Sequence, residues 1–269
     1  MEGQSGYISL GNEQLHYLKW GSGKKLLLAF HGYNNEAGIF HMFPQYLGNI
    51  YTLLSFDLPY HGDSKWTKNV LFTRNDLLTL VNSVKETCDV DKVSLLGYSM
   101  GGRVCLTIME LMPDAIDKVV LIAPDGLVPQ PLYYFLTKTF IGRKLFTTIL
   151  GAPKFFFFIT DWLHKKRWTD PARHKFVTYY IGSDQSRKFL LQVWPGFKEL
   201  VPNRKKLKAA IKEYAIPVFI FMGAHDHIIP PAYGQRFKQG LDTVRLYVLE
   251  KGHRVFGDDN VKEMAQHFL

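Results

Sequence analysis

Val93-Ser94-Leu95-Leu96-Gly97-Tyr98-Ser99-Met100-Gly101-Gly102 reads as an apolar strand that stops at a sharp turn with a serine at its tip. Glycines two places either side of Ser99 let the backbone pass from strand to helix through a conformation that larger side chains would block. Gly102 relaxes the crowding further. A Gly-x-Ser-x-Gly pattern alone arises by chance too easily in a glycine-rich chain to decide anything, so its surroundings have to carry the reading.

Outward from this turn, short β-rich stretches alternate with amphipathic helical ones. Strands are expected near 7–10, 15–20, 26–30, 52–57, 93–96, 119–122, 218–222 and 245–249, and helices at 39–47, 74–87, 100–111, 232–238 and 260–268. Such alternation predicts an α/β fold, a mostly parallel eight-stranded sheet with helices on both faces. The brief Gly11-Asn12 link makes the first two strands an antiparallel hairpin. A long helical stretch, about 126–207, interrupts the rhythm and is expected to be an inserted cap. The domains are then 1–124 and 208–269 for the core, with 125–207 as the helical cap.

At 269 residues, with 46% hydrophobic and 21% charged, the chain is long enough for a substantial core and has the composition of an ordinary globular protein. Its two cysteines, Cys88 and Cys105, fall in segments read as helices, which predicts no disulfide framework and a reducing, cytoplasmic location. The polar, acidic opening of the sequence is not an export signal, and the aromatic run at 155–159 is far too short to span a bilayer. No set of side chains with metal-ligand spacing stands out, so no metal is expected. The net charge of +9 is uneven: between Asp125 and Ala215, 17 Lys or Arg stand against 6 Asp or Glu, a net of +11, leaving −2 for the rest.

Open parallel sheets place their sites at the carboxyl ends of the strands. The third strand runs into His31-Gly32-Tyr33, the fifth into Ser99, the seventh into Asp226 and the last into His253. In these residues, and in Asp57-Leu58-Pro59-Tyr60-His61-Gly62-Asp63-Ser64, Gly223-Ala224-His225-Asp226 and Gly252-His253, the chain resembles the α/β-hydrolase superfamily, specifically its capped, esterase-like members and the related carbon–carbon bond hydrolases. The resemblance covers residues 7–124 and 216–269 and fades in the cap. It departs at Pro59-Tyr60, where the family more often shows Arg-Gly, and at Tyr98, where the carbon–carbon hydrolases more often have Asn.

The resemblance implies a cofactor-independent serine hydrolase with Ser99 as nucleophile, His253 as base and Asp226 as acid, and backbone amides of Tyr33 and Met100 as oxyanion donors. An ordinary loop serine and a surface histidine are the plain alternatives for Ser99 and His253. His225 and His227 flank the acid but would cramp acid and base onto one loop. Asp125, after the sixth strand, is the competing acid and otherwise a turn residue. His31, Asp57 and His61 read as scaffold, and Asp63-Ser64 as a cap on the following turn.

Within the cap, Phe135, Phe156, Trp162 and Trp194 are candidates to line an apolar site for an acyl or aryl group. The basic runs Lys165-Lys166-Arg167 and Arg204-Lys205-Lys206 read first as a solvated face, and second as a rim that steers the protein to an anionic membrane surface or an acidic carrier protein. No nucleic-acid-binding module is present in the sequence. The expected reaction is cleavage of a small apolar carboxylic ester through an acyl-enzyme. Acyl-thioester hydrolysis, meta-cleavage carbon–carbon hydrolysis and a fold that binds without catalysis are the alternatives.

Overall fold

A computed structural model describes residues 3–152, 157, 158, 162, 165 and 181–269. Among them, eight strands form one sheet in the order β1-β2-β4-β3-β5-β6-β7-β8, where β1 is Gln4–Leu10, β2 Glu13–Trp20, β3 Lys25–Phe30, β4 Tyr51–Phe56, β5 Val93–Tyr98, β6 Ile116–Ile122, β7 Val218–Gly223 and β8 Val244–Leu249. β1 and β2 form the antiparallel hairpin expected from Gly11, which takes φ +64°. β2 also runs antiparallel to β4, and every later pairing is parallel. All six residues of β5 are buried, as a central strand covered on both faces requires. The mostly parallel α/β architecture read from the sequence is the one the chain adopts.

The helices are α1 (Pro44–Leu47), α2 (Arg74–Cys88), α3 (Met100–Leu111), α4 (Pro131–Lys138), α5 (Phe140–Gly151), α6 (Asp184–Gly196), α7 (Arg204–Glu213), α8 (Pro231–Lys238) and α9 (Val261–Gln266). α2 begins with a capping box: the Asp76 amide donates to Thr73 Oγ1 at 3.1 Å, and the Thr73 amide donates to Asp76 Oδ2 at 2.7 Å. It ends at Asp89 in the left-handed region. One expected helix, 39–47, is instead a 3-10 turn, Ala37–Phe40, followed by the short α1. Pro44 has no N–H to continue a helix begun earlier, but it suits the first position of a new one.

The chain divides into two compact units. The first comprises Met1–Thr67, Phe72–Pro129 and Leu200–Leu269, and the second Lys68–Leu71 and Gln130–Glu199. These limits differ from the expected 125 and 207. Residues after 200 go with the first unit because α7 packs on α3, burying Leu207 and Ile211 completely. The Asn203 side chain caps α7, and the Asn203 amide donates to Glu110 Oε2 at 2.7 Å. Lys205 and Lys206 therefore lie on the solvent side of a core helix, outside the second unit. No helix of the described residues is long and apolar enough to cross a membrane.

Candidate active site

Ser99 stands between the end of β5 and the start of α3 at φ 50°, ψ −115°. A non-glycine residue held there costs about 1–3 kcal/mol and persists only where its surroundings over-determine it. They do: the Ser99 amide donates to the Ile122 carbonyl, and the Ser99 carbonyl accepts from both Gly102 and Asp125, each at 2.9 Å. The flanking glycines have separate steric reasons. A Cβ on Gly97 would lie 2.7 Å from Cys105 Sγ, one on Gly102 would strike the Pro124 side chain, and one on Gly101 would strike the Phe30 carbonyl. Strand, helix and turn can close on the serine only because all three lack side chains.

The structure brings Ser99, His253 and Asp226 into one hydrogen-bonded line. Nε2 of His253 lies 2.9 Å from Ser99 Oγ, and Nδ1 lies 2.7 Å from Asp226 Oδ2. With Asp226 ionised, Nδ1–H donates to the carboxylate, which leaves Nε2 to accept from the serine hydroxyl. Asp226 comes from the loop after β7, its carboxylate fully buried. Its second oxygen, Oδ1, accepts from the amides of Ile228 at 2.8 Å and Ile229 at 2.9 Å. Those two bonds fix the plane of the carboxylate and leave Oδ2 aimed at the imidazole.

His253 follows β8 and is held by a residue whose part in the site was not read from the sequence. The buried ring of Tyr98 lies 5.6 Å from the imidazole and meets Phe256 edge-on at 5.1 Å, and its hydroxyl reaches the His253 carbonyl at 3.5 Å. Phe256 in turn stacks on Phe40. The signal available was the departure itself, a large aromatic beside the serine at the position where the resemblance to carbon–carbon hydrolases leads one to expect Asn.

The competing residues are engaged elsewhere. Asp125 pairs with the buried Arg103 at 3.3 Å, and its amide is one of the donors to the Ser99 carbonyl, so it supports the elbow from behind. His225 bonds Glu250 at 2.9 Å, with both side chains largely in solvent, and His227 is exposed.

Beneath the serine lies a buried polar lattice. His31 Nδ1–H donates to the Gly32 carbonyl at 2.7 Å, and its Nε2 accepts from the Leu58 amide at 2.9 Å. His61 Nδ1–H donates to the Pro59 carbonyl at 2.8 Å, and its Nε2 accepts from the Asn34 amide at 3.3 Å. Desolvation lowers the pKa of His31 to about 4, and desolvation reinforced by His31 lowers that of His61 to about 3. Both rings are therefore neutral near pH 7, as the acceptor role of each Nε2 demands. Asp57 accepts from the amides of Ala37 at 2.5 Å and Asp63 at 2.9 Å, and from His16 Nδ1–H at 2.7 Å. His16, a buried partner the sequence gave no reason to select, is completed by a 2.8 Å bond to Ser5. Ser64 does not cap the following turn. Its hydroxyl donates to the Asp57 carbonyl at 2.6 Å and accepts from the His16 amide at 2.9 Å.

The lattice holds the loop after β3 against the nucleophile. A Cβ on Gly32 would sit 3.1 Å from Ser99 Cβ, so the expected oxyanion donor Tyr33 follows a residue in contact with the elbow. The other expected donor, Met100, is the first residue of α3, where amides lack intrahelical acceptors and the helix end is positive. Among the described residues one histidine–carboxylate group, His16, Asp57 and Asp63, has ligand atoms within 4.8 Å of one another, but His16 and Asp57 already spend theirs on hydrogen bonds.

Of the aromatic candidates in the second unit, Trp194 is half-buried. It stacks on Phe146 at 5.5 Å, and its carbonyl accepts from Tyr133 at 2.8 Å. Phe135 and Trp162 are exposed. Phe156 lies outside the described residues.

A family model described as alpha/beta hydrolase fold matches residues 25–260. The chain is 26% identical over 255 residues to an uncharacterized hydrolase of Bacillus subtilis, YugF, a match covering 91% of this chain and 89% of that protein. It is 25% identical over 262 residues to a 2-hydroxy-6-oxo-6-phenylhexa-2,4-dienoate hydrolase of Burkholderia cepacia, covering 91% and 86%. Among solved structures, a thermophilic esterase from Thermogutta terrifontis shares the fold with a TM-score of 0.69 at 16% identity, covering 98% of this chain and 97% of that one.

Proposed function

Because the chain belongs to the alpha/beta hydrolase family and is a hydrolase, we propose that it cleaves an apolar carboxylic ester through an acyl-enzyme on Ser99. One observation carries this reading: the unbroken line from Asp226 through His253 to Ser99, with spacings of 2.7 and 2.9 Å.

A serine hydroxyl is a poor nucleophile at neutral pH and needs a base at the moment of attack. As Oγ bonds to the ester carbonyl carbon, its proton passes to His253 Nε2, and the buried Asp226 carboxylate stabilises the resulting imidazolium. The carbonyl oxygen becomes an anion that the amides of Met100 and Tyr33 receive. Collapse of this intermediate breaks the bond to the alcohol, which takes the proton back from Nε2. Water then attacks the acyl-enzyme with His253 again as base, releasing the carboxylic acid and restoring Ser99. The sequence uses water and these side chains alone.

The second unit selects the acyl or aryl group in this reading, on the strength of its aromatic content, with Phe135, Trp162 and Trp194 as candidates. A cytoplasmic setting is part of the same proposal, supported by two cysteines that both remain thiols. A second reading, hydrolysis of a carbon–carbon bond in a dienoic diketone, is favoured by the similarity to the Burkholderia enzyme and by the Ser-Met-Gly-Gly turn. Acyl thioesters are a third substrate class open to the same chemistry.

Fluorophosphonate labelling followed by peptide mapping tests the nucleophile: a single adduct on Ser99 is expected, and an unlabelled Ser99 in folded protein would refute the proposal. A series of p-nitrophenyl esters set beside a chromogenic ring-fission dienoate separates the readings, since the dienoate's colour fades only if the carbon–carbon bond is cut.

A further inference from the structure

The second unit contains a hairpin of helices, α4 and α5, whose inner side is fully accounted for. Tyr133, Thr137, Gly142, Phe146 and Leu150 are buried. Thr139 caps α5 by accepting from the Gly142 amide at 3.0 Å while donating to the Phe135 carbonyl at 2.8 Å. Gly142 leaves room for the Phe135 carbonyl, which a Cβ there would strike. Among the described residues the hairpin is thus held chiefly from within.

That outer side is where large apolar side chains stand in the open. Phe140 is 73% exposed, Ile141 71% and Leu132 65%, with Tyr134 and Leu145 also exposed. In the first unit, exposed apolar residues such as Tyr7, Ile50 and Tyr214 come singly along the chain, which is ordinary, whereas a contiguous group signals a binding surface. The charges on the same hairpin are all of one sign. Lys138, Arg143 and Lys144 are exposed, and residues 126–160 contain neither Asp nor Glu. Lys138 Nζ lies 5.3 Å from the centre of the Tyr134 ring.

We propose that the outer face of the α4–α5 hairpin docks on a lipid bilayer bearing anionic headgroups. At about 1.5 Å per residue, helices of eight and twelve residues are roughly 12 and 18 Å long, too short to span a bilayer, so they lie in its plane. Phe140, Ile141 and Leu145 enter the headgroup–acyl boundary, while Lys138, Arg143 and Lys144 extend their stems along it and meet phosphates. An acidic protein is the poorer match. It would satisfy three cations but leave several bulky apolar groups facing carboxylates, whereas a bilayer offers both an apolar layer and an anionic one. Of the two basic runs singled out in the sequence, Arg204-Lys205-Lys206 belongs to α7 of the first unit, and Lys166 and Arg167 of the other lie outside the described residues.

The test is co-sedimentation of the full chain, carrying Ser99→Ala so that binding is read without turnover, with phosphatidylcholine vesicles prepared with and without phosphatidylglycerol. Binding only to the phosphatidylglycerol vesicles is expected. It should fall at least about tenfold in the Phe140→Gln/Ile141→Gln/Leu145→Gln variant and by a similar factor in Lys138→Gln/Arg143→Gln/Lys144→Gln. All six positions are exposed, so an unchanged thermal transition verifies that each variant folds. Parent protein that stays in the supernatant with anionic vesicles overturns the proposal. So does an apolar-face variant that binds as well as the parent, because attraction by charge alone is what an acidic protein partner would also produce.

Discussion

In the first unit, β3, β5 and β6 bury nearly every apolar side chain they carry, and even the polar residues beneath the serine are satisfied in pairs and lattices. In the second unit, α4 and α5 bury a narrow inner stripe and leave Phe140 and Ile141 more than two-thirds exposed. The difference separates two kinds of constraint. The first unit has to bring atoms from positions 99, 226 and 253 to hydrogen-bonding distance, which allows little variation in packing. The second leaves apolar side chains exposed, where packing does not fix their arrangement.

The largest expected effect breaks the first side of this comparison. Ser99→Ala should fold normally and lose roughly a thousandfold or more in kcat on a p-nitrophenyl ester, and retained esterase turnover would remove the serine from the chemistry. Next comes the choice of acid. Asp226→Asn should cost about a hundredfold or more in kcat, while Asp125→Asn, which weakens the pair with Arg103, should stay within about tenfold. Comparable losses in the two variants would mean that the line through His253 is not what matters.

A third change addresses the second unit alone. Phe146→Ala removes a buried ring stacked on Trp194 and should destabilise that unit by about 3 kcal/mol. Urea melts followed by tryptophan fluorescence would measure it, and hydrolysis of a short ester should change far less than in Ser99→Ala. Equal damage to both readouts would erase the distinction between the units.

The smallest effect, per unit of pH, concerns the lattice beneath the serine. His31 and His61 have folded pKa values of about 4 and about 3, below the ordinary value of about 6.5 in the unfolded chain. The unfolded state therefore takes up protons first. Their contribution is fully present above about pH 6.5 and is lost as pH falls toward 4 and then 3, at about 1.4 kcal/mol per pH unit for each ring in that window. Urea denaturation of the His61→Gln variant should show a shallower decline in stability between pH 6 and 5 (about the middle of that window) than the parent protein. Parallel curves would show that the ring is not held neutral.

The first unit was legible because its constraints repeat along the chain. Period-two and period-3.6 patterns located all eight strands to within a few residues, and the glycines around Ser99 announced a turn whose tight contacts with Phe30, Cys105 and Pro124 explain why each is glycine. Ser99, Asp226 and His253 could be selected because each ends a strand at the same edge of the sheet. What could not be read depends on contacts between distant segments. Nothing near His16 in sequence forecasts its bond to Asp57, and nothing near Tyr98 forecasts its place against His253. The second unit ends earlier than the expected 207 for a similar reason. A basic amphipathic helix at 204–213 looks alike on either unit, and its docking on α3 settles the matter. The segment 39–47 shows the converse, a local signal outweighed: Pro44 was visible, but the apolar spacing around it suggested one continuous helix.

Phe268 ties the last turn of the chain to strands laid down much earlier. Its carbonyl accepts from the Tyr51 hydroxyl at 2.9 Å and from Lys118 Nζ at 3.0 Å, and its ring packs edge-on against Tyr51. The loop bearing His253 lies between β8 and this anchor. The loop that carries the imidazole is therefore tethered on both sides, by the pairing of β8 with β7 before it and by the Phe268 contacts after it.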